Sequence, residues 1–110
     1  MAAIPGEIEK KIKVYLDSLK NDLIVNYAIL FGSYAKGNAT QESDIDLAIV
    51  SENFGKDHIS EMRLLSVKRL FTDSAIEPYA IGMNEFKNRQ KGDFISEIYE
   101  SGIIIEDNNL

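Results

Sequence analysis

Two segments of the chain decide its fold: residues 30–37 read LFGSYAKG, and residues 43–50 read SDIDLAIV. Each segment includes apolar residues of a predicted strand, and in the first segment that strand ends at a glycine-serine pair. Side chains along a strand alternate between its two faces. We therefore expect Asp44 and Asp46 to project from one face of the second strand, while the apolar residues between and after them enter the core.

The acidic pair Asp44 and Asp46 suggests a metal site. Two carboxylates at positions i and i+2 on a strand lie close enough to share one divalent cation. Without a cation their charges repel each other, and one carboxylate would tend to keep its proton. A site for Mg²⁺, which prefers oxygen ligands, is the simplest way to hold both ionised. Taken alone, an Asp-x-Asp motif is more often a pair of solvated charges on an edge strand.

The turn after the first strand suggests a phosphate site. A strand-to-helix turn with glycine exposes backbone N–H groups that can hold phosphate oxygens, and Ser33 adds a hydroxyl next to Gly32. Lys36 offers a positive charge one turn later, and Gly37 allows the turn to close in a left-handed conformation. The plain alternative is a simple turn with a capping serine. A P-loop is excluded, because residues 38–39 read Asn-Ala where Lys-Ser/Thr is required.

The remaining elements are predicted from periodicity and end signals. Strands are expected over residues 27–31, 44–50, 75–81 and 103–105. One helix is expected over residues 61–71, with Ser60 as its cap. Another helix is expected over residues 94–99, with Gly102 as its C′ residue. Pro78 should lie at a sheet edge or bulge, and Asn84 caps a short turn of helix. An apolar stripe predicts a first helix containing Ile8, Ile12, Tyr15, Leu16, Leu19 and Leu23. This alternation of helices and strands predicts an α/β or α+β domain with one small sheet.

The combination of motifs is more specific than its parts. Gly32-Ser33, ten intervening residues and Asp44-x-Asp46 resemble the signature of the DNA polymerase β-like nucleotidyltransferase superfamily. The flanking residues resemble its smallest members, the minimal nucleotidyltransferases (MNT domains). The resemblance implies a small mixed sheet flanked by helices and a third carboxylate on a neighbouring strand. Glu77 is the candidate for that acid, where many relatives carry Asp.

By the same resemblance, each site residue receives an expected role. Asp44 and Asp46 would bridge two Mg²⁺ ions, and Glu77 would complete the site of the ion that activates the incoming hydroxyl. Gly32 and Ser33 would hold the β- and γ-phosphates of a nucleoside triphosphate. Two further nucleotide-binding residues are expected: Lys36, where relatives often carry Arg, and Ser43. Attack on the α-phosphorus would transfer NMP, expected to be AMP from ATP, and release pyrophosphate.

Composition limits the partners and the compartment. The 110 residues fit one domain over residues 1–110, and 12 Lys+Arg against 18 Asp+Glu give a net charge of −6. An acidic chain is a poor candidate for binding a nucleic-acid polymer, which requires neutralisation of phosphates. The chain has no cysteine, which excludes disulfides, thiolate catalysis and cysteine-ligated zinc. With no signal-like or membrane-spanning segment, we expect a cytoplasmic protein.

The resemblance also implies a partner. Small free-standing relatives commonly pair with a HEPN-type toxin, and the MNT protein is the antitoxin that adenylylates it. A domain this small would need its acceptor delivered by another protein, so a hetero-oligomer or homo-oligomer is expected. Two alternatives stay open: an antitoxin that neutralises its partner by contact alone, and a small-molecule nucleotidyltransferase of the aminoglycoside-modifying type. Structural roles are expected for His58, for Tyr34, Tyr79 and Tyr99, and for the basic cluster Lys87, Arg89 and Lys91.

Overall fold

The computed structural model describes residues 4–108 of the chain. Its elements are α1 Gly6–Leu19, β1 Tyr27–Phe31, α2 Ser33–Lys36, β2 Ile45–Ser51, α3 His58–Phe71, β3 Ile76–Gly82, α4 Met83–Lys87, α5 Phe94–Ser101 and β4 Ile103–Asp107. Each strand begins within one residue of its predicted start. Between residues 4 and 108, no helix is both long enough and apolar enough to cross a membrane.

The four strands form one mixed sheet in the order β3-β2-β1-β4. β1 pairs antiparallel with β2 and with β4, whereas β2 and β3 run parallel, joined through α3. This arrangement confirms the predicted α/β class with a small mixed sheet flanked by helices. Pro78 lies in β3, at the edge of the sheet, as predicted from its missing N–H.

The two faces of the sheet are covered by different helices. On one face, α1 and α3 pack over the larger apolar cluster, which includes Ile45, Leu47 and Ile49, all fully buried as predicted. On the other face, α4 and α5 cover a smaller cluster that includes Ala48 and Val50. Asp46 points to this second face, just before the buried part of β2 on that side begins.

Several helix ends differ from the predictions. α1 ends at Leu19, yet Leu23 remains buried because its N–H donates to the Leu19 carbonyl at 3.0 Å as the chain turns. Ser60 is not the cap of α3. Asp57 takes that role, accepting hydrogen bonds from the Ser60 N–H at 3.3 Å and its hydroxyl at 2.8 Å. The true helix therefore starts at His58, three residues before the predicted start.

The ends of α4 and α5 also correct the predictions. α4 is capped at Gly82 rather than at Asn84, and the Glu85 carboxylate accepts from the Gly82 N–H at 3.1 Å. Gly102 follows α5 with φ −82° and ψ 173°, an extended conformation rather than the left-handed one typical of a C′ glycine. Glycine is needed there for space, because a Cβ atom would collide with the Ile98 carbonyl oxygen.

Candidate active site

The turn between β1 and α2 brings backbone against a carboxylate. Gly32 has φ 72° and ψ −144°, in a region that L side chains rarely adopt. A Cβ atom at this position would also overlap Oδ2 of Asp46. The predicted left-handed close of the turn is confirmed at Gly37, with φ 79°. Glycine at position 32 is thus required both by backbone conformation and by the approach of the Asp46 side chain.

Ser33 begins α2 directly after this turn. The first N–H groups of a helix have no acceptor within the helix and carry partial positive charge. Ser33 is half-buried, and its carbonyl accepts from the Asn38 N–H at 3.1 Å, which closes the short helix. The turn therefore presents hydrogen-bond donors beside an acidic side chain.

The carboxylates form a row across the sheet. In the strand register, Asp46 pairs with Phe31 on one side and with Glu77 on the other. Neighbouring strands lie about 4.7–4.9 Å apart, and residues paired across them point to the same face. Asp44 precedes β2 by one residue and is exposed. The predicted triad Asp44, Asp46 and Glu77 is thereby brought to one region of the sheet.

The electrostatics agree with this proximity. Partial burial raises the pKa of the Asp46 carboxyl, and the negative charges of Asp44 and Glu77 raise it further. A divalent cation would relieve both the burial cost and the repulsion between the acids. Aspartate oxygens on a rigid strand are suitable ligands for a hard cation such as Mg²⁺. Asp44 and Asp46 therefore fit a cation site.

Glu77 takes part in a different contact. Its Oε1 lies 3.3 Å from Nη1 of Arg69, in the last turn of α3. Arg69 also donates from Nη2 to the Ser74 carbonyl at 2.7 Å, while its Nε is buried with no hydrogen-bond partner in the described chain. Within residues 4–108, no three acidic, histidine or cysteine side chains are arranged to hold a metal ion. The third acid is close to the pair, but it is ion-paired to Arg69.

Sequence reasoning missed Arg69. It lies on a helix, eight residues before Glu77, and no local motif connects the two. Their contact exists because α3 packs along the edge strand β3. The available signal for this contact was a basic residue in the last turn of the helix that leads into the predicted third strand.

The two remaining predicted nucleotide-binding residues flank the glycine turn and the acidic strand in sequence. Lys36 is exposed in the last turn of α2. Ser43 closes the loop before β2, where its hydroxyl oxygen accepts from the Thr40 N–H at 2.8 Å. A cleft of about 280 Å³ opens beside this loop, lined by Glu7, Ile8, Lys11, Tyr34, Gln41, Ser43, Ile45 and Ala75. Asp44 and Asp46 do not line it, so this cleft is distinct from the carboxylate row.

The residues expected to be structural take part in aromatic packing. Exposed His58 lies with its ring centroid 5.7 Å from that of Tyr79. The guanidinium of Arg89 stacks 4.1 Å from the centroid of Tyr99, and its Nη1 donates to the Phe86 carbonyl at 2.8 Å. Arg89 thus belongs to the packing of α4 on α5, whereas its basic neighbours Lys87 and Lys91 are exposed.

Comparison with known proteins agrees with this geometry. The sequence model described as polymerase beta, nucleotidyltransferase matches residues 10–109. Over 99 residues the chain is 30% identical to a Methanocaldococcus jannaschii protein provisionally named protein adenylyltransferase MJ0141, covering 88% of this chain and 94% of that protein. A second protein of that organism, provisionally named protein adenylyltransferase MJ0604, is 48% identical over 46 residues, 40% of this chain. That match spans about half of the relative, 46% of its length.

A solved structure shows the same fold. The crystal structure of a Sulfolobus solfataricus protein, provisionally named a nucleotidyltransferase, superimposes with a TM-score of 0.66. The superposition covers 89% of this chain and 78% of that one, at 19% sequence identity. The family match spans nearly the whole chain, and the glycine turn lies against the acidic strand as the motif requires. The chain therefore belongs to the polymerase β nucleotidyltransferase family.

Proposed function

We propose that the chain transfers AMP from ATP to a hydroxyl group of a partner protein. The observation that carries the proposal is the close approach of the Asp46 side chain to the backbone of Gly32: a carboxylate suited to a cation lies against a glycine turn suited to phosphate. A nucleoside triphosphate with bound Mg²⁺ needs these two features side by side. The names of the relatives, protein adenylyltransferases, support a protein as acceptor.

The proposed roles follow from position. Asp44 and Asp46 would hold two Mg²⁺ ions, joined by Glu77 when it is released from Arg69, and the ions would supply charge stabilisation for an in-line displacement. The backbone of Gly32 and the N–H and hydroxyl groups of Ser33 hold the β- and γ-phosphates, which directs the α-phosphorus toward the carboxylates. Lys36 and Ser43 lie on the flanks of this site and contribute charge and a hydroxyl to nucleotide binding.

The reaction is a simple exchange of bonds. The acceptor hydroxyl oxygen forms a bond to the α-phosphorus, and the bond from that phosphorus to the bridging oxygen of the leaving group breaks. Pyrophosphate departs with the electron pair, and the hydroxyl proton is released to solvent. The chain contributes mainly by orienting the triphosphate and by concentrating negative ligands where the cations are needed.

A HEPN-type toxin is the proposed partner, which makes the chain the antitoxin of a two-component system. This part of the proposal rests on the resemblance of residues 29–50 to the minimal nucleotidyltransferases. In that system, the modified hydroxyl belongs to the toxin, and the two proteins form a hetero-oligomer in the cytoplasm.

One observation favours a second candidate, neutralisation of the partner by binding without transfer. Glu77 is engaged by Arg69 at 3.3 Å rather than directed at the acidic pair. If this ion pair persists when nucleotide is present, the third acid is withheld from the site and transfer would be slow. The same surface could then serve only for contact with the partner.

Transfer of label separates the two candidates. The chain is incubated with Mg²⁺, ATP labelled at the α-phosphate, and the protein encoded by the neighbouring gene. We expect label on the partner with the wild-type chain, loss of label with Asp46→Asn, and unchanged label with Glu100→Gln, which removes an exposed carboxylate from α5. If the partner is neutralised equally by wild type and Asp46→Asn with no label transferred, binding alone is the function.

A further inference from the structure

An aromatic cluster lies beside the carboxylate row. Phe31 is the direct cross-strand neighbour of Asp46. Tyr79 follows Glu77 by two positions on β3 and therefore points to the same face. Phe94, the first residue of α5, bridges the two rings. Its centroid lies 6.0 Å from that of Phe31 and 5.3 Å from that of Tyr79, and both pairs are edge-to-face.

Phe94 is exposed although it has these partners. Its exposed fraction is 51%, whereas Phe31 and Tyr79 are only partly exposed. A large ring kept half in water forgoes the free energy that full burial would supply. The exposed surface adjoins the polar end of the sheet face, where the apolar cluster under α4 and α5 gives way to the acids.

The position of Phe94 is held by the local backbone. Asp93 caps α5, accepting from the Ser96 N–H at 2.7 Å and from the Gln90 N–H at 2.7 Å. The cap and the two edge-to-face contacts hold the ring in place before any ligand arrives. A ligand that stacks on it therefore loses little affinity to the ordering of the side chain.

We infer that Phe94, supported by Phe31 and Tyr79, is the surface on which the base of the bound nucleotide stacks. The inference rests on the proposed function, because it takes the triphosphate to be held between Gly32 and Asp46. Phe31 lies on β1 and Tyr79 on β3, the strands on either side of β2, so the Phe94 ring that contacts both lies over β2, the strand that carries Asp46. A base stacked on this ring can remain joined through its sugar to phosphates held at Gly32 and Asp46.

Stacking on an aromatic ring indicates which class of nucleotide this surface favours. Every nucleobase has a π-face, so stacking tolerates any base, and its strength grows with the overlapping ring area. A purine nucleotide is therefore the favoured ligand over a pyrimidine nucleotide at the same triphosphate site. The competing explanation is that the rings only pack α5 onto the sheet. In that case, their replacement changes stability without distinguishing one triphosphate from another.

The chain has no tryptophan, which makes a direct optical test possible. In Phe94→Trp, the single indole becomes a reporter at the proposed stacking surface. Phe71→Trp is the matched control, because Phe71 is 83% exposed at the end of α3 and does not belong to the aromatic cluster of Phe31, Tyr79 and Phe94. Each variant is titrated with ATP, CTP and inorganic tripolyphosphate in the presence of Mg²⁺, and fluorescence is recorded together with the thermal unfolding midpoint.

We expect ATP to quench the emission of Phe94→Trp more than CTP does, tripolyphosphate to leave it unchanged, and Phe71→Trp to respond to none of them. In a second variant, Phe94→Ala, ATP affinity should fall by roughly 5- to 150-fold, the range reported for loss of one base–aromatic stack. The affinity for tripolyphosphate should stay within about twofold, because only the phosphates are bound in that case.

Three results would overturn the inference. If ATP raises the unfolding midpoint of Phe94→Trp but does not change its emission, the base lies elsewhere, and the proposed nucleotide site survives. The same conclusion follows if Phe94→Ala weakens ATP and tripolyphosphate equally. If no triphosphate shifts the unfolding midpoint of the wild-type chain, the proposed function fails, and the stacking surface fails with it.

Discussion

Replacement of Gly32 by alanine tests the central feature of the site. The substitution adds one methyl group at a residue with φ 72°, and that methyl group would overlap Oδ2 of Asp46. Two costs are expected. Backbone strain at such a position amounts to about 1–3 kcal/mol, and the displaced carboxylate adds a steric cost while moving the acid away from the phosphate-binding turn.

A second glycine provides a matched control. Gly92 also has a positive φ, 92°, but a Cβ atom there meets nothing within 4 Å. Gly92→Ala should therefore show the backbone cost alone. For a domain of this size, each kcal/mol corresponds to a shift of about 4–8 °C in Tm. We expect Gly92→Ala to lose roughly 4–24 °C. Gly32→Ala should lose more, and its unfolding midpoint should no longer respond to Mg²⁺ and ATP.

The measurement is thermal unfolding, with and without Mg²⁺-ATP, of the wild type, of both glycine variants, of Asp46→Ala and of Gly32→Ala combined with Asp46→Ala. Removal of the carboxylate should recover most of the steric cost, since Oδ2 is the nearest atom to the added methyl group. An equal loss in both backgrounds would show that Asp46 does not approach the turn. A Gly32→Ala chain as stable as the wild type would refute the strained backbone itself.

Three further predictions concern the acids and one close contact. Burial and the charges of Asp44 and Glu77 raise the pKa of Asp46, so the folded chain binds that proton more tightly than the unfolded chain, and stability from this group falls as pH rises above about 4. Asp46→Asn should thus raise Tm at pH 7, and this gain should vanish toward acid pH. Mg²⁺ should stabilise only the wild type. A lower Tm for the variant than for the wild type at pH 7 would contradict this prediction. Arg69→Met removes the ion pair with Glu77 and should lower Tm by a few degrees while strengthening Mg²⁺ binding in a thermal-shift titration; weaker Mg²⁺ binding would show that Arg69 positions the acid instead. Gly102→Ala should cost about 1–3 kcal/mol in urea unfolding through overpacking alone, with Gly6→Ala, which meets no atom within 4 Å, as the unaffected reference.

Helix ends show where sequence reasoning reached its limit. Ser60, Asp57 and Asn84 are all residues that favour caps, and each could start a helix by its chemistry alone. The path of the backbone determines which of these residues caps each helix. Asp57 lies where its carboxylate can reach the Ser60 N–H, and Gly82 takes the cap of α4 because the chain leaves β3 there. Local propensity predicted that these helices exist, and packing decided where they begin.

The sequence by itself determined the four strands, the mixed α/β class, the acidic strand and the glycine-serine turn, because alternation and helical spacing are properties of neighbouring residues. It also determined the family, since the turn and the acidic pair occur at a characteristic spacing. Only the tertiary structure decided that Arg69 pairs with Glu77 and that Phe94 lies over Phe31 and Tyr79. These contacts depend on the parallel pairing of β2 with β3 and on the packing of α3 and α5, which are long-range arrangements that no short segment specifies.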